Sequence, residues 1–167
     1  MNPSLDSLVR RATQDDVPAI TDIYNDSILN TTATFDTEPK STADRLEWFR
    51  SHDDRHPVLV LEVDSRVVGW ASLTEWSDRK AYDGTVETTY YVASESRGRG
   101  YGRILSEALV VEARGLGFHT LIARITDGSD ASIHLHESAG FKHIGTMKEV
   151  GHKFGNYLGV HILQKML

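Results

Sequence analysis

The segment from Thr85 to Leu116 limits the possible folds most, because it joins a strand pattern to a helix pattern through a turn of glycines and arginines. The strand pattern is TVETTYYV, rich in β-branched and aromatic residues, and the turn is RGRGYGR at 97–103. The helix pattern that follows ends at Gly115 and Gly117. A glycine turn that enters a helix exposes backbone N–H groups at the positive end of the helix dipole, and such groups bind phosphate oxygens.

Several kinds of phosphate site share this feature, and two of them do not fit the turn. A Walker loop requires Gly-Lys-Ser/Thr at its end, which this sequence lacks. A dinucleotide-binding fingerprint that starts at Gly98 requires a third glycine where the chain has Arg103. A surface turn with solvated arginines is the remaining simple interpretation, and the turn alone does not exclude it.

Apolar spacing and turn residues predict the elements around this segment. Their order is strand, two helices, three strands, helix, strand, helix and two strands, which indicates one mixed α/β (α+β) sheet with helices. VLVLEV and VVGWASLT, joined by DSR, predict an antiparallel hairpin. The predicted elements are a strand at 8–11, a helix at 17–28, a helix from Ser41 or Thr42 that ends before Pro57, strands at 58–63, 67–74 and 85–92, a helix at 104–116, a strand at 121–125, a helix at 132–139 and two final strands.

Length and composition narrow the class of protein. At 167 residues, without repeats or a linker, the chain is expected to form one domain, residues 1–167. A net charge of −6 disfavours general nucleic-acid binding, which needs a basic face. The lack of cysteine excludes thiolate metal sites and a cysteine nucleophile. No apolar run is long enough to span a bilayer and the N-terminus lacks a secretory pattern, so we expect a cytoplasmic protein without a membrane partner.

The surroundings of the turn carry a family resemblance. Arg97-x-x-Gly100-x-Gly102, between a strand and a helix, resembles the pyrophosphate-binding motif of the GCN5-related N-acetyltransferase (GNAT) superfamily. The blocks RRATQDDVPAITDIYNDSI, TATFDTEP, RKAYDGTVETTYYV, ASIHLHESAGF and GHKFGNYLGV resemble, in order, those of the phosphinothricin and methionine-sulfone (L-amino acid) N-acetyltransferases. The resemblance implies the GNAT fold, a mostly antiparallel mixed sheet of about seven strands with about four helices and a splayed central strand pair.

The resemblance also implies that the turn cradles the pyrophosphate of acetyl-coenzyme A. Backbone amides of the preceding strand would bind the pantetheine arm and the thioester carbonyl, and an N–H aimed at that carbonyl stabilises the negative charge that develops on its oxygen. No metal is expected. The cofactor-binding residues that the resemblance implies are Tyr90, Tyr91, Val92, Arg97, Gly98, Arg99, Gly100, Tyr101, Gly102, Arg103, Ser129 and Ser132.

Two residues are candidates for proton transfer, since the resemblance implies direct attack of an amine on acetyl-CoA in a ternary complex. An amine with a pKa of about 8 or higher is mostly protonated at neutral pH, so a base is useful. The resemblance places a catalytic glutamate at Glu87, which acts directly or through a water molecule. His136 stands where many superfamily members carry a tyrosine that protonates the leaving thiolate. A proton donor and a packed side chain both remain open interpretations of His136.

The resemblance places Phe35, Arg79 and Tyr82 at the acceptor site, and Arg79 would bind a carboxylate in two-pronged fashion. The expected acceptor is therefore the primary amine of a small amino acid or an analogue of the phosphinothricin or methionine-sulfone type. A polyamine, an aminoglycoside or a protein N-terminus remains an alternative, which the acidic net charge favours slightly. A third alternative is that the protein is not an enzyme but a module that binds acyl-CoA. A homodimer is expected from the family.

The chain departs from the family pattern at two positions. The family usually has asparagine, which contacts coenzyme A, where this chain has Ser129, and a serine side chain reaches less far. Near the C-terminus the family often has an acidic residue at the position of Gly159. Cofactor affinity depends on the first departure, and the acceptor or the subunit contact depends on the second.

Overall fold

The computed structural model describes residues 7–167, which form one seven-stranded sheet with four α-helices. The elements are β1 (Ser7–Arg11), α1 (Val17–Asn30), α2 (Thr42–Arg50), β2 (Val58–Val63), β3 (Arg66–Glu75), β4 (Thr85–Val92), α3 (Tyr101–Gly115), β5 (Thr120–Thr126), α4 (Asp130–Ser138), β6 (Lys142–Lys153) and β7 (Asn156–Met166). The strands lie in the order β1-β2-β3-β4-β5-β7-β6. The predicted order of elements is confirmed.

The sheet is antiparallel at every junction except the one between β4 and β5. These two strands run parallel and pair only from Thr85–Thr120 to Glu87–Ile122. Beyond that point they diverge, although β3 stays paired with β4 and β7 stays paired with β5. The predicted mixed sheet with a splayed central pair is therefore confirmed.

Both faces of the sheet are covered, which explains why VLVLEV is apolar at every position but Glu62 rather than alternating. On one face, Val58 and Val60 of β2 pack with Ile20 and Ile23 of α1 and with Trp70. On the other face, the intervening residues of β2 pack under α3 in the larger core cluster. No helix within residues 7–167 combines the length and the apolar character that a membrane crossing requires.

Candidate active site

Two cavities meet where β4 and β5 diverge. The first has a volume of about 490 Å³ and is lined by residues of α1, α2 and the sheet face beneath them. The second has a volume of about 1000 Å³ and lies between the N-terminus of α3 and α4. Tyr90, Tyr91, Ser129 and Ser132 line both cavities. The gap in the sheet therefore brings two binding spaces together.

The glycine turn and the start of α3 form one wall of the second cavity. Gly98 (φ 74°) and Gly100 (φ 83°) have left-handed backbone conformations, which glycine adopts without strain. A Cβ atom on Gly102 would lie 3.1 Å from Leu135 Cδ2, so α3 and α4 approach closely here. The N–H groups of the first turn of α3 have no partner within the helix, and the helix dipole is positive at this end. Phosphate oxygens fit this cradle.

Two arginines of the turn also line the second cavity. Arg97 Nε donates to the carbonyl oxygen of Val92 at 3.1 Å, which holds the side chain against the end of β4. Arg103 Nε donates to Glu107 Oε1 at 2.7 Å, one helical turn away. Arg99 is exposed and is not among the lining residues. Arg97 and Arg103 bring positive charge to this wall, and Glu107, which also lines the cavity, offsets the charge of Arg103.

The second cavity brings together the residues that the family resemblance assigns to the cofactor, with Arg99 as the exception. The turn, the end of β4 and the start of α4 are far apart in the sequence, and they meet because β4 leads into the turn while α4 follows β5 across the gap. The residues concerned are Tyr90, Tyr91, Val92, Arg97, Gly98, Gly100, Tyr101, Gly102, Arg103, Ser129 and Ser132.

The first cavity contains an ion pair between the two diverging strands. Glu87 on β4 accepts two hydrogen bonds from Arg124 on β5, with Nε 2.7 Å from Oε1 and Nη2 2.8 Å from Oε2. Glu87 pairs with Ile122, so Arg124, two residues further along β5, lies on the same sheet face. The hydrogen bonds to Glu87 raise the pKa of Arg124. The predicted base is therefore held in one orientation by a cation that sequence reasoning missed.

His136 also lines the first cavity, but its imidazole is buried and packs against two aromatic rings. Its ring stacks on Tyr90 and meets the edge of Phe141, with centroid distances of 5.0 Å in both cases. Nδ1 lies 2.8 Å from the Ser132 carbonyl oxygen and 3.0 Å from the Tyr90 hydroxyl. Because a carbonyl oxygen only accepts, Nδ1 carries a proton. Burial lowers the pKa of His136, so the ring is neutral at pH 7.

Acidification should therefore destabilise the protein through His136. Its pKa in the folded state lies below the unfolded value of about 6.5, so the unfolded state gains the proton first and stability falls as the pH drops from 7 to 5. For each such group, the free energy of unfolding changes by up to about 1.4 kcal/mol per pH unit. His52, whose pKa burial also lowers, contributes in the same direction.

Urea unfolding at several pH values measures this effect. We expect the free energy of unfolding of His136→Phe to depend less on pH between 7 and 5 than that of the wild type. His134→Gln changes an exposed position of the same helix and should show the same pH dependence as the wild type. Equal slopes for wild type and His136→Phe would contradict the neutral buried state of His136.

Arg45 is a second cation in the first cavity that sequence reasoning missed. It is 6% exposed, and its guanidinium carbon lies 3.6 Å from the ring centroid of Trp48 and 4.6 Å from that of Tyr24. Within residues 7–167, Nε and Nη2 have no hydrogen-bond partner. Desolvation lowers the pKa of Arg45 to about 10, so it is still charged at pH 7. The aromatic faces take the place of water around this charge.

Phe35, which the resemblance assigns to the acceptor site, lines the first cavity on the connection between α1 and α2. Its ring packs against Gly151 of β6, where a Cβ atom would overlap the ring. Lys153 Nζ donates to the carbonyl oxygen of Thr34 at 2.8 Å and fixes the same connection. Arg79 and Tyr82 instead are exposed in a short 3-10 turn and are not among the lining residues of either cavity. Their assignment to the acceptor site stays a prediction.

The structure shows the surroundings of Ser129 and Gly159, the two positions that depart from the family pattern. Ser129 is the N-cap of α4 but makes no capping hydrogen bond, so its hydroxyl is available at the junction of the cavities. The N–H of Gly159 donates to the carboxylate of Asp127, and a Cβ atom at Gly159 would lie 2.8 Å from that carboxylate. Asp127 also lies 2.8 Å from His161 Nε2. Asp127 therefore supplies an acidic group where a side chain at position 159 has no room.

The hairpin of β6 and β7 presents apolar side chains to solvent beside the first cavity. Ile144 and Val150 on β6 are 56% and 55% exposed, and Tyr157 on β7 is 70% exposed. β6 is also an edge strand of the sheet, and Val150 lines the first cavity. An edge strand with exposed apolar residues is an unusual surface for a monomer.

The family model, the curated relatives and the solved structure that resemble this chain are all acetyltransferases. Residues 19–141 match the model of the acetyltransferase (GNAT) family. The chain is 39% identical, over 93% of its length and 92% of the relative, to the L-methionine sulfoximine/L-methionine sulfone acetyltransferase of Pseudomonas aeruginosa. It is 36% identical, over 91% of both chains, to the phosphinothricin N-acetyltransferase of Streptomyces coelicolor. The structure of a phosphinothricin acetyltransferase from Sinorhizobium meliloti in complex with AcCoA superposes with a TM-score of 0.91 at 34% identity, over 98% of this chain and 89% of that one.

Proposed function

The chain belongs to the GNAT family of acetyltransferases, and we propose that it is an acetyl-CoA-dependent N-acetyltransferase that acts on the primary amine of an amino acid or a close analogue. Two of its relatives are acetyltransferases for methionine sulfoximine and sulfone and for phosphinothricin. In this proposal residues 1–167 form a single N-acetyltransferase domain.

The observation that carries the proposal is the junction of the two cavities at the gap between β4 and β5. The second cavity has the anion cradle at the start of α3, while the first has a carboxylate, Glu87, and is partly apolar. Bound acetyl-CoA supplies an activated acetyl group. With its phosphates on the turn, its chain would pass the residues at the junction, Tyr90, Tyr91 and Ser132, so that its reactive end enters the first cavity, which Glu87 lines.

The side chains of the first cavity have distinct tasks in this proposal. Glu87 accepts the proton that the acceptor ammonium must lose before the nitrogen can attack. Backbone N–H groups of β4 beyond Glu87 have no strand partner on the side of β5, so they are available to a carbonyl oxygen that gains negative charge. His136 holds the Tyr90 ring in place. As a proton donor it contributes little, because burial keeps it neutral and a thiolate with a pKa of about 8.5 leaves without much help.

The charge of the first cavity favours an acceptor that carries a carboxylate over a polycation. Its charged lining residues are Glu87, Arg45 and Arg124, so the cavity is net positive although the chain is net negative. A polyamine or aminoglycoside would bring further positive charge next to these two arginines and would be repelled. An amino acid brings one charge of each sign.

Release of free thiol from acetyl-CoA tests the proposal. The purified protein is assayed with methionine sulfone, phosphinothricin, the common amino acids, spermidine and an aminoglycoside. We expect turnover with members of the amino-acid group and none with the polycations. Turnover with spermidine alone, or acetyl-CoA binding without turnover of any acceptor, would contradict it, and the second result would favour an acyl-CoA-binding module.

We further propose that the protein is a cytoplasmic homodimer whose subunits meet at the apolar β6–β7 hairpin, next to the first cavity. A second copy of the chain offers the same apolar surface, so the contact is self-complementary. Sedimentation velocity should show a dimer for the wild type. Tyr157→Asp, which places a charge on the most exposed of these side chains, should shift it towards monomer. A wild type that sediments as a monomer at all concentrations would refute the dimer.

A further inference from the structure

We propose that Arg124 is the specificity-determining residue that binds the carboxylate of an α-amino-acid acceptor, so that Glu87 and Arg124 together hold both charged groups of one zwitterion. This inference rests on the proposed function and assigns the acceptor carboxylate to a residue on β5. The turn that contains Arg79, the residue suggested by the family resemblance, lies outside both cavities.

The position of the pair follows from the strand register. Glu87 and Ile122 are the last residues that pair β4 with β5, and Arg124 lies two residues beyond Ile122, where the strands have begun to separate. Its side chain reaches back across the gap to both carboxylate oxygens of Glu87. The ion pair is therefore located at the narrow end of the gap, within the first cavity.

Both partners of the pair keep binding capacity for a ligand. Arg124 has five N–H donors, and Glu87 takes one from Nε and one from Nη2. Within the described residues 7–167, Nη1 has no hydrogen-bond acceptor, and 53% of the Arg124 side chain is exposed to the cavity and solvent. Each Glu87 oxygen has a second lone pair available. The pair thus offers free donors and free acceptors side by side.

An α-amino acid is complementary to that arrangement. Its ammonium and carboxylate groups are attached to the same carbon atom, so they are close enough to bind Glu87 and Arg124 at once. The ammonium is then hydrogen-bonded to the residue that removes its proton. The Arg124 charge beside it also disfavours the ammonium form, which eases that removal.

Arg45 does not serve the α-carboxylate of the same ligand. It lies beside Trp70, which pairs with Tyr91, whereas Glu87 pairs with Thr74 at the other end of β3. Four residues of an extended strand separate Glu87 from Tyr91, or about 13 Å. An amine on Glu87 therefore leaves its α-carboxylate within reach of Arg124 and out of reach of Arg45.

The test compares an amino acid with the amine that lacks only its carboxyl group. Methionine sulfone and 3-(methylsulfonyl)propylamine form such a pair, and the measured quantity is the ratio of their kcat/KM values. We expect Arg124→Ala to lower this ratio about 10- to 100-fold, as loss of a charge-assisted hydrogen-bonded contact predicts. Arg124→Lys should give a smaller loss, since it keeps the charge and loses the planar fork. Arg114→Ala, an exposed arginine outside both cavities, is the matched control.

The possible outcomes separate the inference from the proposed function. If Arg124→Ala reduces kcat equally for both acceptors, Arg124 only positions Glu87 and the inference is overturned. The same holds if Arg79→Ala lowers the ratio and Arg124→Ala does not. Unchanged acetyl-CoA affinity of Arg124→Ala, measured by calorimetry, shows that the variant is folded. If the wild type acetylates neither compound nor any other amino acid, the proposed function fails first.

Discussion

Glu87→Gln should lower kcat by about 100- to 10,000-fold, the range that loss of a general base covers. Glutamine has nearly the shape of glutamate and still accepts a hydrogen bond from Arg124, but it cannot take up the proton of the acceptor ammonium. Acetyl-CoA affinity should not change, because Glu87 lines the first cavity and not the second. Steady-state kinetics and calorimetry on the same preparation give both quantities.

The pH dependence provides an internal check on the role of Glu87. Once the pH exceeds the pKa of the acceptor amine, the free amine is abundant and needs no base, so the deficit of Glu87→Gln should shrink. Glu75→Gln, an exposed glutamate at the end of β3 outside both cavities, should behave as the wild type. A deficit that stays constant up to high pH would indicate that Glu87 only organises the cavity.

Gly102→Leu should raise the Kd for acetyl-CoA about 100-fold or more, equivalent to the loss of one or two charge-assisted hydrogen bonds. A Cβ atom at this position already lies 3.1 Å from Leu135 Cδ2 and 3.9 Å from the Tyr90 ring. A leucine side chain must therefore extend into the second cavity or push α4 away. Either result removes the space in which the phosphates approach the N-terminus of α3.

Isothermal titration calorimetry with acetyl-CoA measures this loss. Gly115→Ala is the matched control, because it lies in the same helix and a Cβ atom there meets nothing within 4 Å. Leucine favours helix formation more than glycine by about 1 kcal/mol, so the free energy of unfolding of the ligand-free variant should not fall greatly. A Kd within about threefold of the wild type would show that the ligand takes another path.

Local sequence patterns made the secondary structure around this site predictable. The glycine turn, the strand before it and the helix after it follow from residue types whose conformations are set by neighbours in the sequence, as the left-handed φ of Gly98 and Gly100 illustrates. Glu87 was placed by family resemblance on a strand that its β-branched and aromatic residues also indicated. These features required no knowledge of which strand lies beside which.

The missed residues depend on tertiary contacts. Arg124 is an arginine within the otherwise apolar stretch LIARI, a signal that the sequence contains, but its partner is known only once β4 and β5 are in register. Arg45 lies in a polar helix, where an arginine is ordinarily solvated, and only the packing of Trp48 and Tyr24 buries it. Conversely, Arg79 was assigned from resemblance in a turn whose place no periodicity fixes.

The short pairing between β4 and β5 has a mechanical consequence. β1 to β4 and β5 to β7 form two half-sheets, joined by three residue pairs at the narrow end of the gap and by the helices packed on them. The second cavity lies along this seam, with α3 covering one half and α4 contacting β6 of the other. Under the proposed function, a ligand with amide groups along its chain would complete the hydrogen bonding of the separated strands, as an added strand does. A bound co-substrate would thus join the two half-sheets, and we expect it to raise the stability of the whole fold.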